Sequence, residues 1–368
     1  MRKSALFAFG LVVTMLVALG LITLVTASEA MGLKEAGDAF FYVKRQFAFL
    51  AVGILAGGLM AKIDYRFWRD QWVVSAIGFL AILILLEVVL HGAAIKGSHR
   101  WIRLGIVNLQ PSEFAKLITV IALAVWLDRK SWKVGESILD GFIIPSLLLC
   151  ALVAQVLREP DYGAAGVILG VGMLVMFVAG TPLKYLFVSG GLGAAAFALL
   201  VYLNPNRMAR LSDSKGYQVG MALAAIHNGG VWGVGLGESM QKQRYLPEAH
   251  TDFVLAVGAE EFGLFYSIGV VLLFVAFFAL SVYIARKASD RFGRFLVVGM
   301  SFLVFFQSMF NIGVVSDALV TKGVALPFFS YGGTSMLSSF IAVGLIFSVG
   351  IHSYMDQKRE FIRKVVMR

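Results

Sequence analysis

The sequence predicts an all-α polytopic membrane protein: ten transmembrane helices, with a long external loop between spans 7 and 8. Three observations predict it. Hydrophobic residues make up 59% of the 368 positions and charged residues only 15%, with a mean hydropathy of +0.83, far more apolar surface than a water-soluble core needs. The apolar runs are continuous rather than alternating, which selects helices over a barrel. The basic residues divide unevenly between alternate loops, as in chains that obey the positive-inside rule.

Apolar runs long enough to span a bilayer fall at 5–27, 46–63, 72–90, 112–128, 141–157, 163–180, 183–203, 253–285, 293–316 and 334–355. With short loops this leaves one membrane domain, 1–368, and no separate soluble domain. The first run follows Arg2 and Lys3 as a signal peptide does, but it is too long for an h-region and reads as a retained span. The single cysteine, Cys150, has no partner for an intramolecular disulfide and lies in an apolar run, where a small core residue is expected. The net charge of +10 fits basic loops better than it fits nucleic acid.

An even number of spans puts both termini on one side. That side holds 18 of the 32 basic residues, in short and dense loops, and is therefore cytoplasmic. The other side holds 13, and nine of those fall in the loops 91–111, 204–252 and 317–333. Either long loops tolerate charge whatever their side, or an external basic rim meets an anionic ligand such as a phospholipid head group or a lipid pyrophosphate. The loop 204–252 is too long to be structureless. Its apolar pieces predict short interfacial helices. Its run GGVWGVGLG (229–237) reads as a weak phosphate cradle or as glycines that let backbone approach backbone.

Candidate chemistry clusters on that external side. Leu246 to Gly263 reads LPEAHTDFVLAVGAEEFG, and an ionisable residue near membrane depth is a functional-site hypothesis by default. Pro247 and Glu248 suit a helix start, which puts Asp252 about one turn in and Glu260 roughly 12 Å deeper on the same face. Partial burial of such an aspartate favours its neutral form and suits it to general-base work. The alternative is a structural salt bridge from Asp252 to Lys116, Lys322 or an external Arg. In QPSEFAKL (110–117) Glu113 and Lys116 share a helical face, either as an internal ion pair or with the cation facing a polar cavity. Arg100 and Arg103 lie in KGSHRWIRLG (96–105), where Trp101 suits the interface. Asp161, in the short turn EPDYG, either caps the next helix or faces the same cavity. Pro327 and Gly332-Gly333 predict a broken approach to the last span.

These motifs, taken in order, resemble the SEDS family (shape, elongation, division and sporulation) of cell-wall polymerases, the FtsW/RodA-like proteins. The resemblance runs through KGSHRWIRLG, QPSEFAKL, EPDYG, GYQ (216–218), AIHNGGVWGVGLGESMQK (225–242), LPEAHTDF and LPFFSYGG (326–333), nearly the whole chain. YVKRQ (42–46) and TKG (321–323) resemble the FtsW-like division branch more than the RodA-like elongation branch. The chain departs from the family pattern at Glu159, where Gln is usual, at Val320, where Pro is common, and at Thr334, where Ser is frequent.

The resemblance implies a peptidoglycan glycosyltransferase that polymerises lipid II into β-1,4 glycan strands on the outer face of the bacterial cytoplasmic (inner) membrane. The family's essential aspartate falls on Asp252, the general base, and undecaprenyl pyrophosphate is the leaving group. Arg100, Arg103, Lys116, Lys322, His250 and Gln218 are the expected substrate or pyrophosphate ligands. Glu113, Asp161, Glu248, Glu260, Glu261 and Ser330 are the expected supporting residues. The implied partners are a class B penicillin-binding protein transpeptidase and other divisome or elongasome membrane proteins. A divalent cation (Mg or Mn) at the pyrophosphate is compatible with this chemistry, but the sequence holds no dedicated metal cage. Two other readings stay open: a lipid II flippase, which needs access from both faces, and a non-catalytic division scaffold.

Overall fold

The structure, a computed structural model, describes residues 3–91, 93–95, 98–104, 107–159, 161–202, 218–240, 246–319 and 323–367. A helix forms at each of the ten predicted spans: α1 (Lys3–Ala36), α2 (Phe41–Lys62), α3 (Gln71–His91), α4 (Pro111–Arg129), α5 (Ile144–Arg158), α6 (Tyr162–Ala179), α7 (Leu183–Tyr202), α9 (Val254–Arg286), α10 (Arg291–Val315) and α11 (Gly333–Val366). The short α8 (Gly220–Gly229) lies in the long loop, where interfacial helices are expected. Among the described residues, eight helices are long and apolar enough to cross a membrane, and the chain is a multi-pass membrane protein.

Burial separates the lipid-facing helices from the central ones. Only 17% of the apolar stretch of α3 is buried, against 78% of that of α11. α4 carries Glu113, Lys116, Asp128 and Arg129, yet 14 of its 19 residues are buried. It packs against α3, α5, α6, α10 and α11, so protein rather than lipid surrounds Glu113, Lys116 and Asp128, as their desolvation requires, while Arg129 at the helix end is exposed.

Several expectations need correcting. α1 runs on to Ala36, where Gly37 (φ +67) ends it, and α11 runs on to Val366, because nothing breaks either helix at the membrane edge. Cys150 lies exposed on the outer side of α5 and not in the core. Part of the 91–111 loop is a small antiparallel sheet, β1 (Ala93–Ile95), β2 (Ser98–Leu104) and β3 (Val107–Leu109), in the order β1-β2-β3. That adds a minor β element to an otherwise helical fold.

The glycine run 229–237 serves backbone contact. α9 breaks at Gly263 (φ 77, ψ −165), which frees the carbonyls of Glu260 and Glu261. The N–H groups of Val234 and Gly235 donate to them at 3.0 and 3.1 Å, and Leu264 N–H turns to the Gly230 carbonyl at 3.0 Å. A Cβ on Gly229 or Gly233 would collide with the α9 backbone at Ala259 or Glu261. Glycine is required because two backbones meet without a side chain between them.

Candidate active site

The connections after odd-numbered spans converge at one end of the bundle and enclose a cavity of about 460 Å³. One wall comes from α1, α2 and the segments 246–253 and 323–332. The other comes from β2, β3, α4 and the start of α6.

Asp252 stands on the cavity wall, two residues before α9 begins and not one turn inside a helix, as the proline spacing predicts. Glu248 takes a positive φ of 58, so the chain curls and the N–H groups of Thr251, Asp252 and Phe253 all converge on the Glu248 carbonyl, at 3.1, 3.1 and 3.3 Å. Thr251 Oγ1 donates to Glu248 Oε2 at 3.0 Å. The Asp252 carboxylate lies against Gly323, where a Cβ would come within 2.7 Å of Oδ2.

The segment facing it is shaped by Ser330. Its hydroxyl oxygen accepts Leu326 N–H at 2.7 Å and its carbonyl accepts Gln46 Nε2 at 3.1 Å. Ser330 thus builds the non-helical approach to α11 from beneath the wall. Tyr331 N–H donates to the His250 carbonyl at 2.9 Å, which joins the two segments. The His250 ring packs with Tyr42 at 4.6 Å and Tyr331 at 5.9 Å between centroids.

On α4, Lys116 Nζ donates to Glu113 Oε1 and to Gln307 Oε1, both at 2.7 Å, and Ser338 Oγ donates to Glu113 Oε2 at 3.0 Å. Both alternatives for this pair hold together: Glu113 and Lys116 are ion-paired and both line the cavity. The same is true of Asp161. It caps α6 through Ala164 N–H at 3.1 Å, accepts from Gln110 at 2.8 Å and Ser112 at 3.1 Å, and lies 3.8 Å from Arg100. The Asp252 ion pair to Lys116 does not form, because Glu113 and Gln307 hold the ammonium.

Other expected residues lie elsewhere. Glu260 and Glu261 are buried under the glycine run and not on the cavity wall. Asn228 donates to Glu260 at 3.3 Å, and Ser239 also bonds it. Gln218 stands in the turn before α8, away from the cavity lining. Lys322 lies outside the described residues, as does the Arg103 side chain, although the Arg103 backbone belongs to β2. The described lining holds five carboxylates (Glu35, Glu113, Asp161, Glu248, Asp252) and three cations (Arg45, Arg100, Lys116), so the basic rim is not carried by these residues. No group of three or more His, Cys, Asp or Glu among the described residues is arranged to hold a metal. They form no cage for Mg or Mn.

The cavity also gathers residues that motif reasoning passed over. Tyr42, Arg45 and Phe49 present one face of α2, and Asn108, Gln110, Tyr331 and Thr334 complete the walls. Behind them, α10 offers two amides one turn apart. Gln307 Nε2 donates to the Ala325 carbonyl at 2.9 Å, and Asn311 Nδ2 donates to those of Asp252 and Val324 at 2.9 and 2.8 Å. The available signal was the pair itself, since two amides at i and i+4 in an apolar run mark an inward face.

The chain is 40% identical over 364 residues to the probable peptidoglycan glycosyltransferase FtsW of Thioalkalivibrio sulfidiphilus, covering 95% of this chain and 90% of the relative. It is 38% identical over 342 residues to the protein of the same name from Geobacter metallireducens, covering 90% of each. Among solved structures, the Thermus thermophilus rod shape determining protein RodA matches with a TM-score of 0.71 at 26% identity, over 96% of this chain and 97% of that one. A chain from a peptidoglycan synthase complex that coordinates polymerization and crosslinking matches with a TM-score of 0.76 at 27% identity, over 95% of this chain and 98% of that one. The cell cycle protein family of FtsW, RodA and SpoVE matches residues 7–355, nearly the whole bundle with its cavity, and the chain belongs to that family.

Proposed function

We propose that this chain is a peptidoglycan glycosyltransferase that polymerises lipid II on the outer face of the bacterial cytoplasmic membrane, with both termini cytoplasmic and in the service of cell division. Asp252 takes the proton from the 4-hydroxyl of one lipid-linked GlcNAc. The freed oxygen attacks the anomeric carbon of the second lipid-linked sugar, the bond to its diphosphate breaks, and undecaprenyl pyrophosphate leaves. An α-linked donor and a β-1,4 product make this a single inverting displacement. Arg100, Arg103, Lys116 and Lys322 stabilise the charge that develops on the leaving diphosphate. His250 contacts the sugar, and the substrate's tail stays in the bilayer.

The observation that carries the reading is the setting of Asp252. A carboxylate, three cations and ring surfaces share one cavity at the end of a membrane bundle, where a head group on a lipid anchor arrives from the bilayer. Glu113, Asp161, Glu248 and Ser330 hold its walls, and Glu260 and Glu261 anchor the glycine run behind them. A class B penicillin-binding protein crosslinks the strands and is the partner; a chain of similar fold belongs to a peptidoglycan synthase complex that coordinates polymerization and crosslinking.

The test is reconstitution of the purified chain with that transpeptidase on labelled lipid II. Glycan strands from wild type and none from a folded Asp252→Ala or Asp252→Asn chain support the assignment. Wild-type rates from either variant would remove it.

A further inference from the structure

Two of the three described cations on the cavity wall already have a carboxylate. Lys116 is bonded to Glu113 at 2.7 Å, and Arg100 lies 3.8 Å from Asp161. Arg45 differs from both. Its guanidinium stands 4.4 Å from the centroid of the Phe41 ring, and no carboxylate pairs with it among the described residues. Glu35, the cavity carboxylate contributed by α1, accepts the Tyr42 hydroxyl instead.

The placement follows from helical spacing. Tyr42, Arg45 and Phe49 fall at i, i+3 and i+7 on α2, so they share one face, and all three line the cavity. Gln46, beside them, fastens that face of α2 to the Ser330 carbonyl at 3.1 Å. A half-buried guanidinium stacked on a ring keeps its in-plane donors free. Those donors match two oxygens of a phosphate in a fixed fork. Next to it, the rings of Tyr42 and Tyr331 lie 4.8 Å apart with His250 packed against both. Such a surface suits the apolar face of a sugar.

We propose that Arg45 is the anion subsite of the cavity, where it binds a phosphate oxygen of a polyprenyl-diphosphate-linked sugar while the Tyr42–His250–Tyr331 rings pack against the sugar. The assignment rests on the polymerase reading and adds to it a wall that the motifs left without a role. It also eases the charge imbalance of the site. A lining richer in carboxylates than in cations repels an anionic substrate, and the one described cation not neutralised by a neighbour is the point where that substrate is held.

The test uses the purified full chain in nanodiscs. Binding of a polyprenyl diphosphate and of free polyprenol is followed by tryptophan fluorescence, since Trp101 lines the cavity. Arg45→Gln is expected to weaken diphosphate binding about tenfold, the scale of one charge-assisted hydrogen bond, and to leave polyprenol binding unchanged. Arg45→Lys, which keeps the charge and loses the fork, is expected to fall between. A phosphate-free disaccharide pentapeptide probes the other anionic source. If Arg45→Gln weakens that probe and spares the diphosphate, the guanidinium binds a peptide carboxylate and the phosphate assignment falls. A second measurement needs no variant: the diphosphate, and not polyprenol, is expected to protect Arg45 from phenylglyoxal, and equal labelling with and without it overturns the proposal. A wild-type chain that binds diphosphate through Arg45 but makes no glycan sinks the polymerase reading alone. A chain that makes glycan while Arg45→Gln binds diphosphate as wild type does sinks the subsite alone.

Discussion

Asn311 holds Asp252 by its backbone: one amide group donates to the carbonyls of Asp252 and Val324, at 2.9 and 2.8 Å. The two carbonyls belong to the two segments between which the Asp252 carboxylate lies, against Gly323. Asparagine suits this position because its neutral NH₂ group supplies two donors from one atom. The cost is Asn311 Oδ1, which is buried without a hydrogen bond. Asn311→Leu keeps the volume and removes both donors, so two buried carbonyls lose partners at about 1–3 kcal/mol each. The expected result is a kcat at least tenfold lower with KM within about threefold, since the substrate contacts remain. Gly323→Ala, which sets a methyl group 2.7 Å from Asp252 Oδ2, is expected to act in the same direction. An unchanged kcat in a folded Asn311→Leu chain removes this positioning role.

The Lys116–Glu113 pair is buried at both ends. Lys116→Met leaves the Glu113 carboxylate in the bundle with the Ser338 hydroxyl as its remaining side-chain partner among the described residues, and breaking a buried pair on one side costs about 3–5 kcal/mol. A clear fall in the unfolding midpoint in detergent is expected. Glu113→Gln combined with Lys116→Met is expected to recover much of it, because the stranded charge is gone. A double variant no more stable than Lys116→Met alone would show that the loss comes from packing.

Much of this was legible in the sequence for a physical reason. Span positions follow from the length of apolar runs, and bilayer thickness fixes that length, so all ten helices fall where they are read. Glu113, Lys116, Asp161 and Asp252 stood out because charge in an apolar setting needs an explanation, and all four line the cavity. The expected helix start before Asp252 does not form, because Pro247 and Glu248 suit a turn as well and the positive φ of Glu248 decides for the turn. Helical periodicity puts Glu260 on the face of Asp252, but it gives a face and not the loop that covers it, and the glycine run covers Glu260 and Glu261. Helical spacing marks the inward faces that carry Arg45 and Asn311, but not the distant segments those faces meet: Ser330 for α2, and Asp252 and Val324 for α10.

Gly263 tests the exchange of backbone hydrogen bonds that closes the break in α9. Its φ of 77 and ψ of −165 lie where an L side chain costs on the order of 1–3 kcal/mol, and a Cβ there would strike the Val231 carbonyl. Gly263→Ala is expected to lower the unfolding midpoint and to loosen the glycine run, read as faster amide exchange at Val234 and Gly235. Exchange as slow as in wild type would mean that those two bonds do not depend on the kink.

Glu159 makes stability depend on pH. It follows the last residue of α5 and is fully buried. Burial, and then the charge of Asp161, push its carboxyl up to about 8, against the pull of Arg100. The unfolded chain releases this proton near the ordinary glutamate value while the folded chain keeps it. Between those two values the folded state binds more protons, so stability falls as pH rises, and it levels off once the folded carboxyl has ionised. The loss is on the order of a few kcal/mol. Glu159→Gln, which places the residue usual in the family pattern, keeps a neutral group of the same shape. It is expected to unfold at a higher temperature than wild type at pH 8.5 and at nearly the same temperature at pH 5. Midpoints that differ by the same amount at both pH values would assign the effect to packing and take the titration away from Glu159.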